Sequence, residues 1–302
     1  VLVIGATGAQ GGSVARHLLK GGKFRVRALT RNPDSAKAAA LKEAGAEVVR
    51  GELDDTGSLR AALDGCYGVF GVTNYWEHFE KELQQGKNLV DAANATGVEE
   101  FIFSSLPYVK KLTGGALEVP HFDLKGEITE YTQRVRPGTI IAHVAFYFEN
   151  LYTFFPPKPQ GDGTFALAFP QGDTPLAAVA VEDVGGVLGA VFARPGQFRD
   201  KTLIVAGDEM PPQAYTEIMS RVLGKKIVYN YIPREKFAAL GFPGADDLAN
   251  MFEYYRLHVP SRAKEIAECR RLYPGLQRFE AWMQANKSRF HLEATATSRA
   301  SG

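Results

Sequence analysis

Val1–Leu19 reads VLVIGATGAQGGSVARHLL. A β-branched run ends at Ile4, glycines follow at positions 5, 8 and 11, and an amphipathic stretch begins at once. Each glycine has its own physical reason. Gly5 permits a tight turn, Gly8 lets the backbone approach a pyrophosphate with no side chain in between, and Gly11 lets the next helix pack close to the strand. The start of that helix offers N–H groups and the positive end of its dipole to phosphates. Glycines at this spacing also occur in turns that bind nothing. A strand before them, a helix after and a βαβ unit around them turn the spacing into a dinucleotide-binding signature.

The chain around this stretch supplies that unit. FRVRALTR, AEVVRGEL, YGVFGVTN and VEEFIFSSL read as strands. GGSVARHLLKGG, DSAKAAALKEAG, TGSLRAALDG and EKELQQGKNLVDAANATG read as the helices between them, the first two stopped by glycine. Helix EITEYTQR and strand GTIIAHVAF continue the pattern. Buried strands alternating with helices predict an α/β fold, a doubly wound parallel sheet of Rossmann type. The pattern breaks after Asn150. LYTFFPPKPQGDGTFALAFPQGDTPLAAV is rich in Pro, Gly and aromatics and reads as a loop and short hairpin. A helix (VEDVGGVLGAVFARPG), a strand (KTLIVAG) and helices PQAYTEIMSRVLG and DDLANMFEYYRLH follow. In the last, Leu248, Met251, Phe252 and Tyr255 repeat at helical spacing, as core residues do. The expected division is a dinucleotide-binding domain over 1–150 with later contributions near 178–207, a smaller α+β C-terminal domain over 151–292, and a disordered small, polar tail over 293–302.

The second strand runs directly into Arg31, 20 positions after Gly11. A site for NAD usually has an acidic residue here, to bind the ribose 2′-hydroxyl. A guanidinium instead grips a 2′-phosphate through two parallel hydrogen bonds. The cofactor expected is therefore NADP(H). A solvated loop arginine is the plainer alternative.

Bulk properties narrow the remaining classes. Lys plus Arg number 35 against 34 Asp plus Glu, the formal net charge is +1, and no basic run exceeds two residues. Direct nucleic-acid binding is not expected from such a balance. The two cysteines, Cys66 and Cys269, and six scattered histidines form no metal-ligand spacing, so no metal is expected. No apolar run approaches the length of a membrane span. A reducing setting, the cytoplasm and also the nucleus, is the expected location. The chain opens inside a strand, so further residues are expected to precede Val1.

GATGAQGGSVARHLL, VRALTRNP, VTNYWE, HFDLKGE, YFENL and LGFPGADDLANMF together closely resemble the NmrA-like family, an atypical branch of the short-chain dehydrogenase/reductases. Within it the chain is most similar to the redox-sensor proteins. The resemblance runs from Val1 to about Phe290. It implies a Rossmann domain with a smaller C-terminal domain over the cofactor cleft. It assigns the pyrophosphate to Gly5, Ala6, Thr7, Gly8, Ala9 and Gln10, with Gly11 behind them, and the 2′-phosphate to Arg31. Asp54 and Asp55 fall near the adenine, Thr73, Asn74 and Tyr75 on the nicotinamide side, and Lys125 at the nicotinamide ribose. Tyr147, Phe148, Glu149 and Asn150 are implied to close over the nicotinamide end. Ser104, after the fifth strand, holds the position of a carbonyl-polarising serine, or only caps the loop.

His121 and Lys125 stand four residues apart, which places them on one helix face. The wider superfamily has a proton-donating tyrosine four positions before its lysine. None of the twelve tyrosines here has lysine at that spacing, and His121 occupies the place. Lys125 then reads as a ribose clamp. His121 reads as a plain polar residue, a pocket wall or a general acid. Tyr75, Trp76, Phe146, Tyr147, Phe148, Tyr152, Phe154 and Phe155 make the expected nicotinamide end aromatic, or pack domains together. Two functions follow. One is a redox sensor whose NADPH occupancy controls conformation or a protein partner, with a homodimer among the expected forms. The other is an NADPH-dependent oxidoreductase acting on a small apolar quinone, enone or iminium, in secondary metabolism for instance.

Overall fold

The computed structural model describes residues 1–292. The tail expected to be disordered, 293–302, lies outside the described residues. Strand and helix alternate through β1 (Leu2–Val3), α1 (Ala9–Gly21), β2 (Arg27–Thr30), α2 (Ala36–Glu43), β3 (Glu47–Arg50), α3 (Thr56–Leu63), β4 (Gly68–Val72), the one-turn α4 (Tyr75–His78), α5 (Lys81–Ala95), β5 (Glu100–Ser105), the one-turn α6 (Val109–Leu112), α7 (Pro120–Val135) and β6 (Ile140–Val144). After these come β7 (Phe146–Tyr147), β8 (Lys158–Pro159), β9 (Phe165–Phe169), β10 (Leu176–Val179), α8 (Val181–Phe192), β11 (Thr202–Val205), β12 (Asp208–Met210), α9 (Pro212–Leu223), β13 (Ile227–Tyr231), α10 (Arg234–Ala238), α11 (Ala245–His258), α12 (Ala263–Leu272) and α13 (Phe279–Asn286).

Two units emerge. The first comprises 1–145, 181–205 and 265–276. The sequence pattern placed 265–276 in the C-terminal part instead. The first unit carries a seven-stranded sheet in the order β11-β6-β5-β4-β1-β2-β3, parallel at every pairing. This is the doubly wound Rossmann arrangement, and the strand order reverses between β1 and β4. Leu2, Ile4, Phe101, Phe103 and Ile141 from the strands bury one sheet face against Leu59 and Leu63 of α3, Leu89 and Val90 of α5, and Ile128 of α7. Small residues set the closest approaches between helices. A β-carbon at Gly86 would fall 2.5 Å from Ile128, so α5 and α7 meet through that glycine. A β-carbon at Gly185 would fall 2.3 Å from the Ser13 carbonyl oxygen, and the Ser13 hydroxyl in turn accepts from Gly185 N–H at 2.9 Å. That contact joins α1 to α8.

Helix α7 begins at Pro120, earlier than the EITEYTQR reading, so HFDLKGE lies wholly inside it. The reason is local. Pro120 suits the first turn of a helix, where its missing N–H is not needed. The Asp123 carboxylate accepts from Val119 N–H at 2.7 Å and from Lys110 N–H at 2.9 Å, which fixes the entry.

The second unit comprises 146–180, 206–264 and 277–302, of which 277–292 are described in the last segment. It holds two three-stranded sheets, β12-β10-β7 and β13-β9-β8. The hairpin expected after Asn150 is the antiparallel pair β8–β9. Strand β13, which the sequence pattern did not single out, pairs parallel to β9. The unit's core is aromatic: Phe169 stacks on Phe252 at 4.9 Å, and Phe155 meets both edge-on. Of the four α11 residues expected in the core, Met251 and Phe252 are buried, while Leu248 and Tyr255 are half-buried.

Candidate functional site

The glycine loop leaves β1 through Gly5, whose φ of 63° is the left-handed conformation glycine adopts without strain. Its carbonyl accepts from Gly8 N–H at 2.8 Å. A β-carbon at Gly11 would fall 2.3 Å from the Gly5 carbonyl oxygen and 2.5 Å from that of Ile4. The close packing assigned to Gly11 from sequence is thus a steric requirement here. Helix α1 starts at Ala9, after Gly8 at its N-cap, with no side chain capping it and no acid in its first turn. Gly5, Gly8 and Ala9 are exposed, while Ala6 is buried with its methyl in the core. The Ser104 hydroxyl donates to Gln10 Oε1 at 2.6 Å. Ser104 is only 3% exposed, so it ties the end of β5 to the glycine loop.

A cavity of about 360 Å³ opens along the C-terminal ends of β1, β2, β3 and β4. That is within the usual range for small-molecule sites. Gly5 and Thr7 line it from the loop, Arg31, Ser35 and Lys37 from beyond β2, Asp54 from beyond β3, and Asn74, Glu77 and His78 from beyond β4. Asp54 accepts from Gln85 Nε2 at 3.0 Å. Arg31 pairs with the Glu77 carboxylate, which also accepts from Asn74 Nδ2 at 3.2 Å. The Arg31 bond is the main influence lowering the Glu77 pKa below the usual carboxylate range. Asp55 requires a correction. It caps α3, accepting from the N–H groups of Gly57 at 2.9 Å and Ser58 at 3.1 Å. Its carboxylate serves the helix start, and it is not part of the cavity wall.

Lys125 is buried. Its ammonium donates to Thr73 O at 2.9 Å, Thr73 Oγ1 at 2.7 Å and Glu82 Oε1 at 2.5 Å. An ammonium has three protons, so these three acceptors engage all of them. This corrects the simple ribose-clamp reading: in this arrangement Lys125 has no donor left, and a ribose hydroxyl would have to replace one of the three. Burial is the larger influence on its pKa and lowers it, and the Glu82 carboxylate partly opposes that. Glu82 is fully buried, and its Oε2 has no hydrogen-bond partner among the described residues. One turn before Lys125, His121 is 7% exposed. Its ring lies 4.6 Å from that of Phe122, 5.1 Å from Trp76 and 6.1 Å from Tyr75. His121, the second residue of α7, is thus buried beside aromatic rings, as a pocket wall would be.

Tyr147, Phe148, Glu149 and Asn150 belong to the second unit. Phe148 also requires a correction. It is wholly buried, 5.1 Å from the ring of Phe279 and 5.3 Å from Trp282, so it is a core residue and not a cofactor contact. Glu149 accepts from Trp282 Nε1 at 3.2 Å. Phe146 and Phe155 pack in the same unit's core, and Tyr152 stacks on Trp282, whereas Phe154 is exposed.

Glu82, Gln85, Glu77 and Lys37 are the residues that sequence reasoning missed. Glu82 and Gln85 sit in KELQQGK, a polar run that reads as a solvated helix face. Glu77 stands in VTNYWE, a motif that carries only the family resemblance. Among the described residues no group of His, Cys, Asp and Glu is arranged to hold a metal, and no helix is long and apolar enough to cross a membrane.

The model of the NmrA-like family matches residues 1–283. The chain belongs to the NmrA-like family. Among NmrA-like relatives, a domain-containing protein of Dictyostelium discoideum is 32% identical over 241 residues, covering 77% of this chain and 80% of that protein. The NmrA-like family domain-containing oxidoreductase FrzB of Cladobotryum is 31% identical over 302 residues, covering 90% of each. In fold, the chain is similar to the crystal structure of NmrA, a negative transcriptional regulator, in complex with NADP. There the TM-score is 0.80 at 21% identity, with 94% of each chain covered.

Proposed function

We propose that this NmrA-like protein binds NADP(H) and acts as a redox sensor, its NADPH occupancy setting conformation or the binding of a protein partner. The observation that carries the cofactor is the cavity in which the glycine loop and Arg31 meet. The loop fits a pyrophosphate, since a side chain at Gly11 would collide with backbone and nothing caps α1. A bound nicotinamide would supply a hydride, or accept one. The chain's own residues would hold it: the backbone of Gly5 to Gly11 at the pyrophosphate, Arg31 at the 2′-phosphate, Asp54 on the adenine side, and Thr73, Asn74, Tyr75 and Lys125 towards the nicotinamide.

The surroundings of Lys125 favour a sensor over a carbonyl reductase. No tyrosine precedes it by one turn, and its donors are engaged by Thr73 and Glu82. The regulator NmrA, a similar fold holding NADP, supports the same reading. A protein partner or a second copy of the chain would read the signal, in the cytoplasm or nucleus.

The second reading, an NADPH-dependent reductase of a small apolar quinone, enone or iminium, is favoured by two observations. FrzB is named an oxidoreductase. Trp76, beside His121, is 39% exposed, an aromatic surface suited to a flat substrate. One experiment separates them. NADPH absorbance is followed with a panel of quinones, enones and cyclic imines, and particle size is followed by light scattering with and without NADPH. No turnover with an NADPH-dependent size change supports the sensor. Turnover that disappears in His121→Ala rejects a pure sensor.

A further inference from the structure

Resting on the reading of Arg31 as the 2′-phosphate partner, we propose that Glu77 is a specificity-determining residue for the cofactor: its carboxylate stands on Arg31 as an internal competitor of the 2′-phosphate. Three observations support this. First, the Glu77 carboxylate pairs with the Arg31 guanidinium, and both line the same cavity. Second, Glu77 is aimed. Asn74 Nδ2 donates to its other oxygen at 3.2 Å and His78 Nε2 lies 3.7 Å from that oxygen, so the half-exposed carboxylate has partners on both sides. Third, Glu77 sits on a turn of unusual backbone shape. Helix α4 is a single turn, and Phe79, directly after it, has a φ of 44°, a left-handed conformation that a phenylalanine rarely adopts.

The consequence differs for the two nicotinamide dinucleotides. A 2′-phosphate brings negative charge to a guanidinium that already has a carboxylate on it. It must displace Glu77 or sit beside a like charge. A 2′-hydroxyl meets no such conflict, because it can donate to the carboxylate as it does in sites built for NAD. Glu77 therefore narrows the preference for NADP(H) that Arg31 creates. Lys37, on the same wall, is a second cation of the cavity and is expected to keep part of the phosphate affinity when Arg31 is removed.

The test is equilibrium binding of NADPH and NADH, read by reduced-nicotinamide fluorescence and by calorimetry, for the wild-type chain, Glu77→Gln, Arg31→Ala and the double variant. Both the Arg31 and Glu77 side chains are about half-exposed, so each single change is expected to leave the fold intact. An ion pair this exposed is weak, so Glu77→Gln is expected to tighten NADPH by about threefold to fivefold and to move NADH by less than about twofold. The gain should shrink in high salt. It should vanish in the Arg31→Ala background, where there is nothing left to compete for. Three results would overturn the inference while leaving Arg31 in its role: unchanged NADPH affinity in Glu77→Gln, weaker NADPH affinity there, or the same gain with Arg31 absent. If Arg31→Ala leaves NADPH affinity untouched, the 2′-phosphate reading itself falls and takes the inference with it.

Discussion

The Lys125 ammonium lies 2.5 Å from Glu82 Oε1, with side-chain exposures of 11% and 0%. Removing one member of a buried pair strands the other charge, which typically costs about 3 to 5 kcal/mol. Glu82→Gln is expected to lose stability near the low end of that range, about 3 kcal/mol, because glutamine can still accept from the ammonium. Urea denaturation would measure it. Lys125 is already held below its ordinary pKa by burial, and Glu82 opposes that shift, so the variant lowers it further. Between the folded and unfolded pKa values the unfolded chain binds more protons, and stability rises with pH in that window. The deficit of Glu82→Gln should therefore be largest at neutral pH and shrink towards the unfolded lysine value of about 10.4. A deficit independent of pH would mean that the stranded charge is not its cause.

Arg31→Asp should weaken NADPH by at least about tenfold and NADH much less, since it replaces a charge-assisted pair by repulsion only when a 2′-phosphate is present. Parallel titrations with the two dinucleotides decide this. Equal losses would assign Arg31 to some other task.

Gly11→Ala tests the close approach of α1 to β1. Its methyl would fall 2.3 Å from the Gly5 carbonyl oxygen, and backbone on both sides leaves no flexible neighbour to yield. Overpacking of this kind costs about 1 to 3 kcal/mol, and the displaced loop should bind NADPH poorly. Thermal melting and NADPH titration should both move. A wild-type melt with normal binding would mean that the helix can shift without consequence.

Tyr229 offers a test in the second unit. Its hydroxyl donates to Phe169 O at 2.6 Å and accepts from Gln171 N–H at 3.1 Å and Gly172 N–H at 2.9 Å. Burial is the main reason its pKa is pushed up to about 12. Tyr229→Phe leaves those backbone groups unmatched and should cost about 2 kcal/mol. Because the folded pKa is raised, the hydroxyl's contribution is complete below the unfolded value of about 10 and is lost as pH rises through the folded value. Burial also raises the pKa of Tyr215 and Tyr255, so ultraviolet titration should show one fewer late-ionising tyrosine in the variant than in the wild type. An unchanged late-titrating fraction in Tyr229→Phe would contradict the environment described.

The first half of the chain was legible because each of its signals is local. Glycines at fixed offsets, runs of β-branched residues and glycine stops each decide a few neighbouring residues, and the parallel sheet follows from their alternation. What escaped depends on distant partners. The resemblance places Asp55 near the adenine with Asp54, yet α3 begins at the next residue and takes its carboxylate. Phe148 looked like a lid residue, but Phe279 and Trp282, more than a hundred positions away, bury it. Glu82 could not be distinguished from its solvated neighbours, since the lysine it meets is 43 residues downstream. Lys125 was found, and its saturation was not, for the same reason.

The first unit is written in three pieces of chain, and the last of them ends at residue 276. On a ribosome, the strands around the glycine loop emerge long before α8 and β11 exist to finish their unit. Until then β6 presents an open edge, the kind of surface on which nascent chains pair wrongly. Because α8 docks on α1 through Gly185 and Ser13, the helix that would receive the pyrophosphate acquires its packing partner late in synthesis. A fragment cut at the apparent end of the first alternating run would carry the signature and the cavity residues, but would leave the β6 edge and the α8-facing side of α1 uncovered.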